Sequence, residues 1–269
     1  MTGLETHYSA SGIEARILAA LRTAGLDPDQ PLTPEELGPL DHFHTGGLKA
    51  SRELLELARI AAEDRVLDIG AGLGGAARLL ASATGCRVDC LELSADYCIG
   101  AILLNRLTGL EDLIDVHRGS ALDIPFPDSS FDAVWMQNVG MNIADKRRLY
   151  EEIRRVLMPG GRYAFQEMAA GNAATSYFPL PWATDPDHSC LVSGEEMQSV
   201  LSESGFIAEL FEDTSDAHLN RSTANATPAA PGQLGLAVFV DNLGEKAGNA
   251  RRSLEEGQVR LVRGVFRAK

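Results

Sequence analysis

The sequence predicts an α/β protein whose core is a doubly wound parallel sheet. From residue 64 onward, short apolar runs typical of strands alternate with segments that have the periodicity of helices. The first run is followed by the glycine-rich turn GAGLGG at residues 70–75, and the second ends in an acid, Glu92. Such alternation is typical of parallel strands joined by right-handed crossover helices.

The segment before the sheet is expected to contain two helices. Ile13, Ile17 and Leu21 recur every four residues and predict a helix that ends near Gly25. The stretch after it, LDPDQPLTPEELGPLDHFHTGG, is rich in proline and glycine and is expected to be irregular. A second apolar stripe then predicts a helix that ends before Asp64.

Within the alternating region, each apolar run is assigned to a strand and each periodic stretch to a helix. The predicted strands are residues 65–69, 88–91, 113–117, 131–136, 162–166 and 206–212, with a closing strand in QVRLVRGVFRA. The predicted helices are residues 74–84, the face of Ile99, Ile102, Leu103 and Leu107, the face of Leu149, Ile153, Val156 and Leu157, and residues 194–204 and 242–256. Asp145 is expected to cap one helix, and PGG to end that helix at Pro159.

Composition and charge narrow the functional classes. Lys and Arg number 24 against 38 Asp and Glu, which gives a formal net charge of −14. Because a surface of this sign repels phosphate backbones, nucleic acid is disfavoured as a partner. The longest apolar runs are far short of the roughly 18 residues of a membrane helix, and no secretory signal is visible. A cytoplasmic protein without a membrane partner is therefore expected, and homo-oligomerisation is left open.

The cysteines show no pattern of a metal or redox site. They form no C-x-x-C pair and have no histidine at ligand spacing. No metal is therefore predicted, and the thiols are expected to be reduced and packed in the interior. These residues are Cys86, Cys90, Cys98 and Cys190.

The glycine-rich turn is expected to bind a ligand. In a doubly wound sheet, ligands bind at the carboxyl ends of the strands, and glycines let the backbone approach them closely. GAGLGG fits the dinucleotide fingerprint G-x-G-x-x-G, and a tight turn without a ligand is an alternative. Glu92 can accept both hydroxyls of a ribose, which suits dehydrogenases and nucleoside-cofactor methyltransferases alike. Asp68, an acid inside the first strand, is unusual for nicotinamide enzymes and favours a methyltransferase.

Four motifs occur in order: VLDIGAGLGG, LELS, GSALDIPFPDSSFDAVWMQNV and RRVLMPGGRYAFQE. Together they closely resemble the class I S-adenosylmethionine-dependent methyltransferases, over roughly residues 40 to 212. DHFHTGG, PLPWATDP and LEEGQVRLV are similar to the small-molecule branch that contains the sarcosine/dimethylglycine N-methyltransferases. Natural-product methyltransferases share these features.

The resemblance implies a Rossmann-like, seven-stranded sheet whose last strand is antiparallel. It implies a helical N-terminal cap at residues 1–47 and a methyltransferase domain at residues 48–269, with a variable loop at 168–192 and a surface excursion at 213–234. It also implies S-adenosyl-L-methionine as the cofactor, S-adenosyl-L-homocysteine as the product and a small molecule as the methyl acceptor.

The cofactor contacts follow from the resemblance. Gly70, Gly72 and Gly74 would lie under the methionine part and the ribose. Glu92 would hold the ribose hydroxyls, and Leu93 would pack on the adenine. At position 120 many relatives carry aspartate, so the serine of this chain lacks a charged contact to the adenine amine. The other expected cofactor contacts are His44, Thr45, Gly46, Ser120, Ala121, Leu122, Gln137 and Asn138.

Catalysis and acceptor binding are expected near the end of the fourth strand. The resemblance implies that Tyr8 closes over the site and that His44 and Asn142 take part in catalysis. Aromatic faces and carboxylates around the methyl path would favour an ammonium-like product. The candidate acceptor contacts are Phe43, Gln137, Glu167 and Trp182.

The acceptor atom is predicted from one departure from the family. Relatives that methylate a phosphobase place a histidine where this chain has Asn142, and asparagine cannot act as a general base. This favours N-methylation of an amine that arrives neutral, in secondary-metabolite biosynthesis. O- or C-methylation of a natural product is left open, with His44 or Glu167 as the base. An NAD(P)-dependent oxidoreductase and an inactive cofactor-binding module are the alternatives from other classes.

Overall fold

The computed structural model describes residues 12–42, 44–173, 176–224, 234–235 and 238–269, and within them seven strands form one sheet. The strands are β1 (Arg65–Ile69), β2 (Arg87–Glu92), β3 (Ile114–Arg118), β4 (Phe131–Gln137), β5 (Leu157–Ala170), β6 (Phe206–Asp213) and β7 (Val259–Ala268). Their order across the sheet is β3-β2-β1-β4-β5-β7-β6. Strands β1 to β5 run parallel, and β7 is antiparallel to both β5 and β6. The predicted doubly wound sheet with an antiparallel last strand is confirmed.

Helices cover both faces of this sheet. They are α1 (Ile13–Thr23), α2 (Pro34–Asp41), α3 (Gly47–Ala58), α4 (Gly75–Thr84), α5 (Ala95–Leu107), α6 (Lys146–Val156), α7 (Gly194–Glu203), α8 (Ser215–Ala224) and α9 (Leu243–Glu255). One apolar core packs β1, β4 and β5 against α6 and α7, and a second packs the sheet against α3 and α4. No helix in the described ranges is long and apolar enough to span a membrane.

Helix α2 lies where the sequence predicted irregular structure, so that prediction was wrong. Helix α2 begins with a capping box: the Thr33 hydroxyl accepts the backbone N–H of Glu36, and the Glu36 carboxylate accepts the N–H of Thr33. Pro34 occupies the first turn, where a missing N–H costs nothing. Helix α8 lies inside the expected surface excursion and starts with the Asp213 carboxylate accepting the N–H of Ser215.

The PGG stretch does not end a helix, and this expectation was also wrong. Helix α6 starts at its predicted cap, because the Asp145 carboxylate accepts the N–H of Arg148, but it ends at Val156. Strand β5 then runs through PGG to Ala170. Its last nine residues pair with β7, from Arg162 opposite Arg267 to Ala170 opposite Val259. Pairing with this distant partner extends β5 beyond its predicted end at residue 166 and shortens the variable loop.

The buried face of α5 differs from the predicted one. Ile99 and Ile102 are 44% and 38% exposed, whereas the buried positions include Tyr97 and Leu104. Helix α1 packs across α5, and a Cβ at Gly100 would lie 3.1 Å from the terminal methyls of both Ile13 and Ile17 of α1. The close approach of the cap therefore selects small residues on α5 and turns its isoleucines outward.

A buried ion pair fixes the cap to the sheet domain. Arg78 of α4 is 0% exposed, and its guanidinium donates to Asp41 Oδ2 and Asn105 Oδ1, both at 2.7 Å, and to the carbonyl of Leu73. Burial raises the pKa of Asp41, while the charge of Arg78 opposes that rise. The end of α2 is thereby held beside the start of α4. The approach is so close that a Cβ on Gly75 would lie 2.7 Å from Asp41.

Candidate active site

A cavity of about 770 Å³ opens at the carboxyl ends of β1, β2 and β4. This is the switch point of the sheet, where β1 has β2 on one side and β4 on the other. Of the predicted site residues, the cavity is lined by His44, Thr45, Gly70, Gly72, Glu92, Leu93, Ser120, Ala121, Leu122, Gln137, Asn138, Asn142 and Trp182. Gly46, Gly74 and Glu167 do not line it. Tyr8 and Phe43 lie outside the described residues.

A side chain at each of the three glycines after β1 would meet different surroundings. All have left-handed backbone angles, with φ of +66° at Gly70, +56° at Gly72 and +78° at Gly74. A Cβ on Gly70 would lie 2.4 Å from a methyl of Val139, so this position is closed by protein. A Cβ on Gly74 would lie 3.1 Å from the Arg78 guanidinium. A Cβ on Gly72 would meet nothing within 4 Å, so this position alone of the three faces open cavity.

Glu92 ends β2 directly beside Gly72. Its carboxylate accepts the backbone N–H of Gly72 at 2.9 Å and that of Ser94 at 2.8 Å. The side chain is buried, and burial raises the pKa of its carboxyl. Two backbone donors thus orient the carboxylate at the cavity wall, where it can accept hydroxyl groups.

Asp68 and Tyr97 also line the cavity, although sequence reasoning did not place them there. Asp68 is buried within β1, and its Oδ2 has no hydrogen-bond partner among the described residues. Burial, with the nearby charge of Glu92, raises the pKa of Asp68 to about 8. Its carboxyl therefore carries a proton at neutral pH and can donate a hydrogen bond. In the sequence, the indication was the acid within an apolar strand, because burying a carboxyl group costs free energy unless it is hydrogen-bonded or paired.

Ser120 occupies a tight turn at the rim between β3 and β4. Its hydroxyl accepts the backbone N–H of Leu122 at 3.1 Å, and its backbone bridges to Asp123. Ala121 and Leu122 pack partly buried against the sheet core. The serine therefore shapes this turn, and the neighbouring wall of the cavity is formed by apolar side chains.

Gln137 and Asn138 join the end of β4 to the cap. Gln137 Oε1 accepts the indole N–H of Trp135 at 3.0 Å and the hydroxyl of Ser51 at 2.9 Å. These two donors fix the amide, whose buried Nε2 has no partner in the described part of the chain. Asn138 Nδ2 donates to Thr45 Oγ1 at 3.4 Å. Gln137, which lines the cavity, thereby holds a buried amide donor without a partner among the described residues.

His44 belongs to a buried polar cluster beneath the cap. Its Nε2 lies 2.9 Å from Ser51 Oγ and 3.3 Å from His42 Nδ1. Burial and the His42 ring lower the pKa of His44 to about 3, and burial lowers the pKa of His42 to about 4. Both rings are neutral at physiological pH and are weak bases. Gly46 is the N-cap residue of α3, and a Cβ there would lie 2.8 Å from that of Ala50, so its role is close packing.

Asn142 and Trp182 contact each other in one wall of the cavity, next to the carboxyl end of β4. Asn142 Nδ2 donates to the carbonyl of Trp182 at 2.8 Å, and the Trp182 indole donates to Ser189 Oγ at 3.1 Å. The loop that follows β5 is therefore held against the turn Gly140–Asn142. This contact builds one side of the cavity from two segments far apart in sequence.

Glu167 lies behind that turn and does not line the cavity, and its contact with the acceptor stays a prediction. Its Oε1 accepts the N–H groups of Val139 and Gly140 at 2.9 and 3.0 Å, and burial raises the pKa of Glu167 to about 7. On the carbonyl side, the buried ammonium of Lys146 donates to Gly140 and Cys190, each at 2.7 Å, and to Ile143. Sequence reasoning missed Lys146, because a lysine that begins a helix is usually solvated.

Comparison with known proteins agrees with this geometry. Residues 67–165 match the sequence family described as "Methyltransferase domain". A glycine/sarcosine/dimethylglycine N-methyltransferase of Actinopolyspora halophila is 39% identical over 136 residues, which are 51% of this chain and 24% of that protein. A sterol 24-C-methyltransferase of Gibberella zeae is 38% identical over 104 residues, 38% of this chain and 27% of that protein.

A solved structure shares the fold over the whole length of the chain. It is phosphoethanolamine N-methyltransferase 2 of Haemonchus contortus, in complex with phosphomonomethylethanolamine and S-adenosylhomocysteine. The aligned region covers 100% of this chain and 61% of the Haemonchus contortus chain, with a TM-score of 0.72 and 16% sequence identity. The matched regions span about a quarter of each of the two sequence relatives. The family match, residues 67–165, begins within β1, includes the glycine turn and ends within β5.

Proposed function

We propose that the chain transfers a methyl group from S-adenosylmethionine to a small molecule. The match of residues 67–165 to the methyltransferase domain family, and the likeness to N-methyltransferases in sequence and in fold, support this proposal. One observation carries this proposal: the open face of Gly72 and the carboxylate of Glu92 lie side by side in the cavity at the carboxyl ends of β1, β2 and β4. This pair suits a nucleoside, since backbone can approach the ligand where the carboxylate accepts its ribose hydroxyls.

The residues present fit the proposed cofactor at several independent points. Leu93, Tyr97 and Ala121 give the cavity an apolar section beside Glu92, as a purine requires. Toward β4, Gln137 offers an amide N–H and Asn138 a carbonyl oxygen, and neither atom has a partner among the described residues. We assign these two side chains to the amino acid part of the cofactor, with His44 and Thr45 of the cap above them.

The chemistry divides between cofactor and chain. S-adenosylmethionine supplies a methyl group on a sulfonium, which is already strongly electrophilic. The chain has to hold the acceptor in line and exclude water, and alignment of this kind is worth up to roughly 7–11 kcal/mol. Asn142 and Trp182, fixed to each other, form the wall beside β4 that would position the acceptor. Glu167 and Lys146 hold this wall from behind through the backbone of the turn.

We further propose that the acceptor atom is an amine nitrogen that enters neutral. His44 is a weak base, because its pKa of about 3 lies far below the working pH. The Asn142 amide is engaged with the carbonyl of Trp182. A neutral amine needs no protein base, whereas an alcohol or a carbon acid does. The chain's likeness to both N- and C-methyltransferases makes the acceptor atom a question for experiment.

The cofactor assignment predicts a loss of affinity in Glu92→Ala. We expect S-adenosylhomocysteine to bind about 10- to 150-fold more weakly, the equivalent of roughly 1.5–3 kcal/mol for hydrogen bonds to a charged group. Titration calorimetry measures this directly. The matched control is Asp89→Ala on the same strand, because Asp89 is equally buried but pairs with Arg65 and His117 outside the cavity. Equal affinity in wild type and Glu92→Ala, or equal losses in both variants, would contradict the assignment.

The amine assignment predicts the pH dependence of the reaction. The pH profile of kcat/KM should rise toward the pKa of the amine itself, because only its unprotonated fraction attacks. His44→Gln should change kcat/KM by less than about tenfold and leave the rising limb in place, against 10²–10⁴ for removal of a general base. His188→Gln, on an exposed 3-10 turn, is the control. A limb that stays fixed across acceptors of different pKa, and disappears in His44→Gln, would show base catalysis and point to O- or C-methylation.

A further inference from the structure

The part of the cavity that lies beyond Asn142 is built from apolar side chains. Glu92 ends β2, whereas this region lies across β1 and β4, beside β5 and α9. We call it the acceptor chamber and define it by Met141, Ile143, Met168, Trp182, Ala250 and Leu254. Met141, Met168, Trp182 and Leu254 belong to one buried apolar cluster, and Ala250 packs against it.

Helix α9 supplies one continuous wall of this chamber. Leu243, Ala247, Ala250 and Leu254 all line the cavity, and their spacing of three or four residues places them on one helical face. Over residues 243–254 this face is about 16 Å long at 1.5 Å per residue. Exposure falls along it, from Ala247 at the mouth to the buried Leu254. The wall is therefore much longer than a small amino acid.

The acidic side chains that line the cavity lie at its other end. They are Asp41, Asp68 and Glu92, which belong to α2, β1 and β2. Among the described residues that line the cavity from Met141 onward there is no Asp or Glu, and those that can carry a positive charge are His218 of α8 and Arg251 of α9. Arg251 is 41% exposed and pairs with Glu255 at 2.8 Å, so it lies at the rim. A zwitterion or an ammonium ion would lose its hydration in the chamber without gaining a partner charge.

We infer that the acceptor is a molecule with an extended apolar body, which lies along α9 and presents a neutral nucleophile beside Asn142. Small zwitterionic amino acids, the substrates named for the Actinopolyspora halophila relative, do not suit this chamber. This inference rests on the proposed methyl transfer and adds the class of acceptor to it. The apolar surroundings also favour the neutral form of an amine, because burial lowers its pKa.

Binding of a homologous series tests the chamber without requiring turnover. With S-adenosylhomocysteine bound, n-butylamine, n-hexylamine, n-octylamine, glycine and sarcosine are titrated at one alkaline pH. Each added methylene should tighten alkylamine binding about three- to fourfold, as expected for full burial of a CH₂ group. Glycine and sarcosine should bind at least a hundredfold more weakly than octylamine. Affinities that do not grow with chain length, or a preference for sarcosine, would overturn the inference.

A pair of variants on α9 locates the effect. Ala250→Glu places a carboxylate on the chamber wall and should weaken octylamine binding at least tenfold. Gly248→Glu adds the same charge on the exposed side of the same helix, where a Cβ meets nothing within 4 Å, and should leave octylamine binding unchanged. Equal effects of both variants would place the amine elsewhere.

Titration with S-adenosylhomocysteine distinguishes an error in the acceptor class from an error in the proposed methyl transfer. Both α9 variants should bind S-adenosylhomocysteine with wild-type affinity, which also shows that they are folded. If S-adenosylhomocysteine binds and sarcosine is preferred, the acceptor class is wrong while the proposed function stands. If S-adenosylhomocysteine does not bind to the wild type, the proposed function itself fails.

Discussion

Arg78→Met is expected to lower the free energy of unfolding by about 3–5 kcal/mol, the usual loss when one partner of a buried ion pair is removed. The guanidinium is fully buried, and its loss leaves the Asp41 carboxylate and the Asn105 amide oxygen without their donor. Urea denaturation of wild type and variant, with slopes compared as well as midpoints, measures this difference.

A double variant and a pH series identify the cause. Adding Asp41→Leu to Arg78→Met should recover most of the loss, because no buried charge is then left unpaired. Without Arg78, the pKa of the buried Asp41 carboxyl rises further above its unfolded value. A folded state that binds more protons loses stability as the pH rises, so the variant should be penalised less at pH 5 than at pH 8. A penalty that is equal at both pH values would exclude Asp41 as its origin.

Gly72→Val is expected to abolish cofactor binding, with an affinity loss of at least a hundredfold for S-adenosylhomocysteine. A side chain here meets no protein atom and projects into open cavity, so it takes the space that the ligand needs. The strained left-handed backbone adds a stability loss of roughly 1–2 kcal/mol. Calorimetric titration measures the affinity, and thermal unfolding without ligand measures the strain.

Gly109→Val is the matched control for this strain. Gly109 has φ of +63° against +56° for Gly72, a Cβ there also meets nothing within 4 Å, and it does not line the cavity. The two variants should lose similar stability, but only Gly72→Val should lose affinity. Wild-type affinity in Gly72→Val would show that the ligand does not pass over this turn.

The central strands could be predicted because strands buried on both faces read as apolar runs. The prediction for β1 matches the observed Arg65–Ile69, and that for β4 differs by one residue at its end. Strand β5 could not be delimited, since its extension to Ala170 depends on pairing with β7 far along the chain. Helix α2 carried a readable signal, the Thr33–Glu36 capping box, which the prolines around it obscured.

The candidate site could be predicted where side chains follow strand ends, and less well elsewhere. Gly72, Glu92 and Gln137 come together because the carboxyl ends of parallel strands share one edge of the sheet. Glu167 belongs to the same edge, but its local sequence does not reveal that backbone N–H groups engage its carboxylate. The sequence did not predict that α9 lines the cavity, because this position depends on packing against β7, which follows α9 in the chain.

The place of β7 in the sheet has a consequence for biosynthesis. Strand β7 lies between β5 and β6, yet it follows β6 in the chain after residues 214–258. At ribosomal rates of about 5–20 residues per second, β6 waits several seconds for the strand that joins it to the sheet. During that interval β5 and β6 both present open edges, which are sites of aggregation for a nascent chain. The sheet therefore closes late, and the α9 wall, which comes just before β7, is set in place with it.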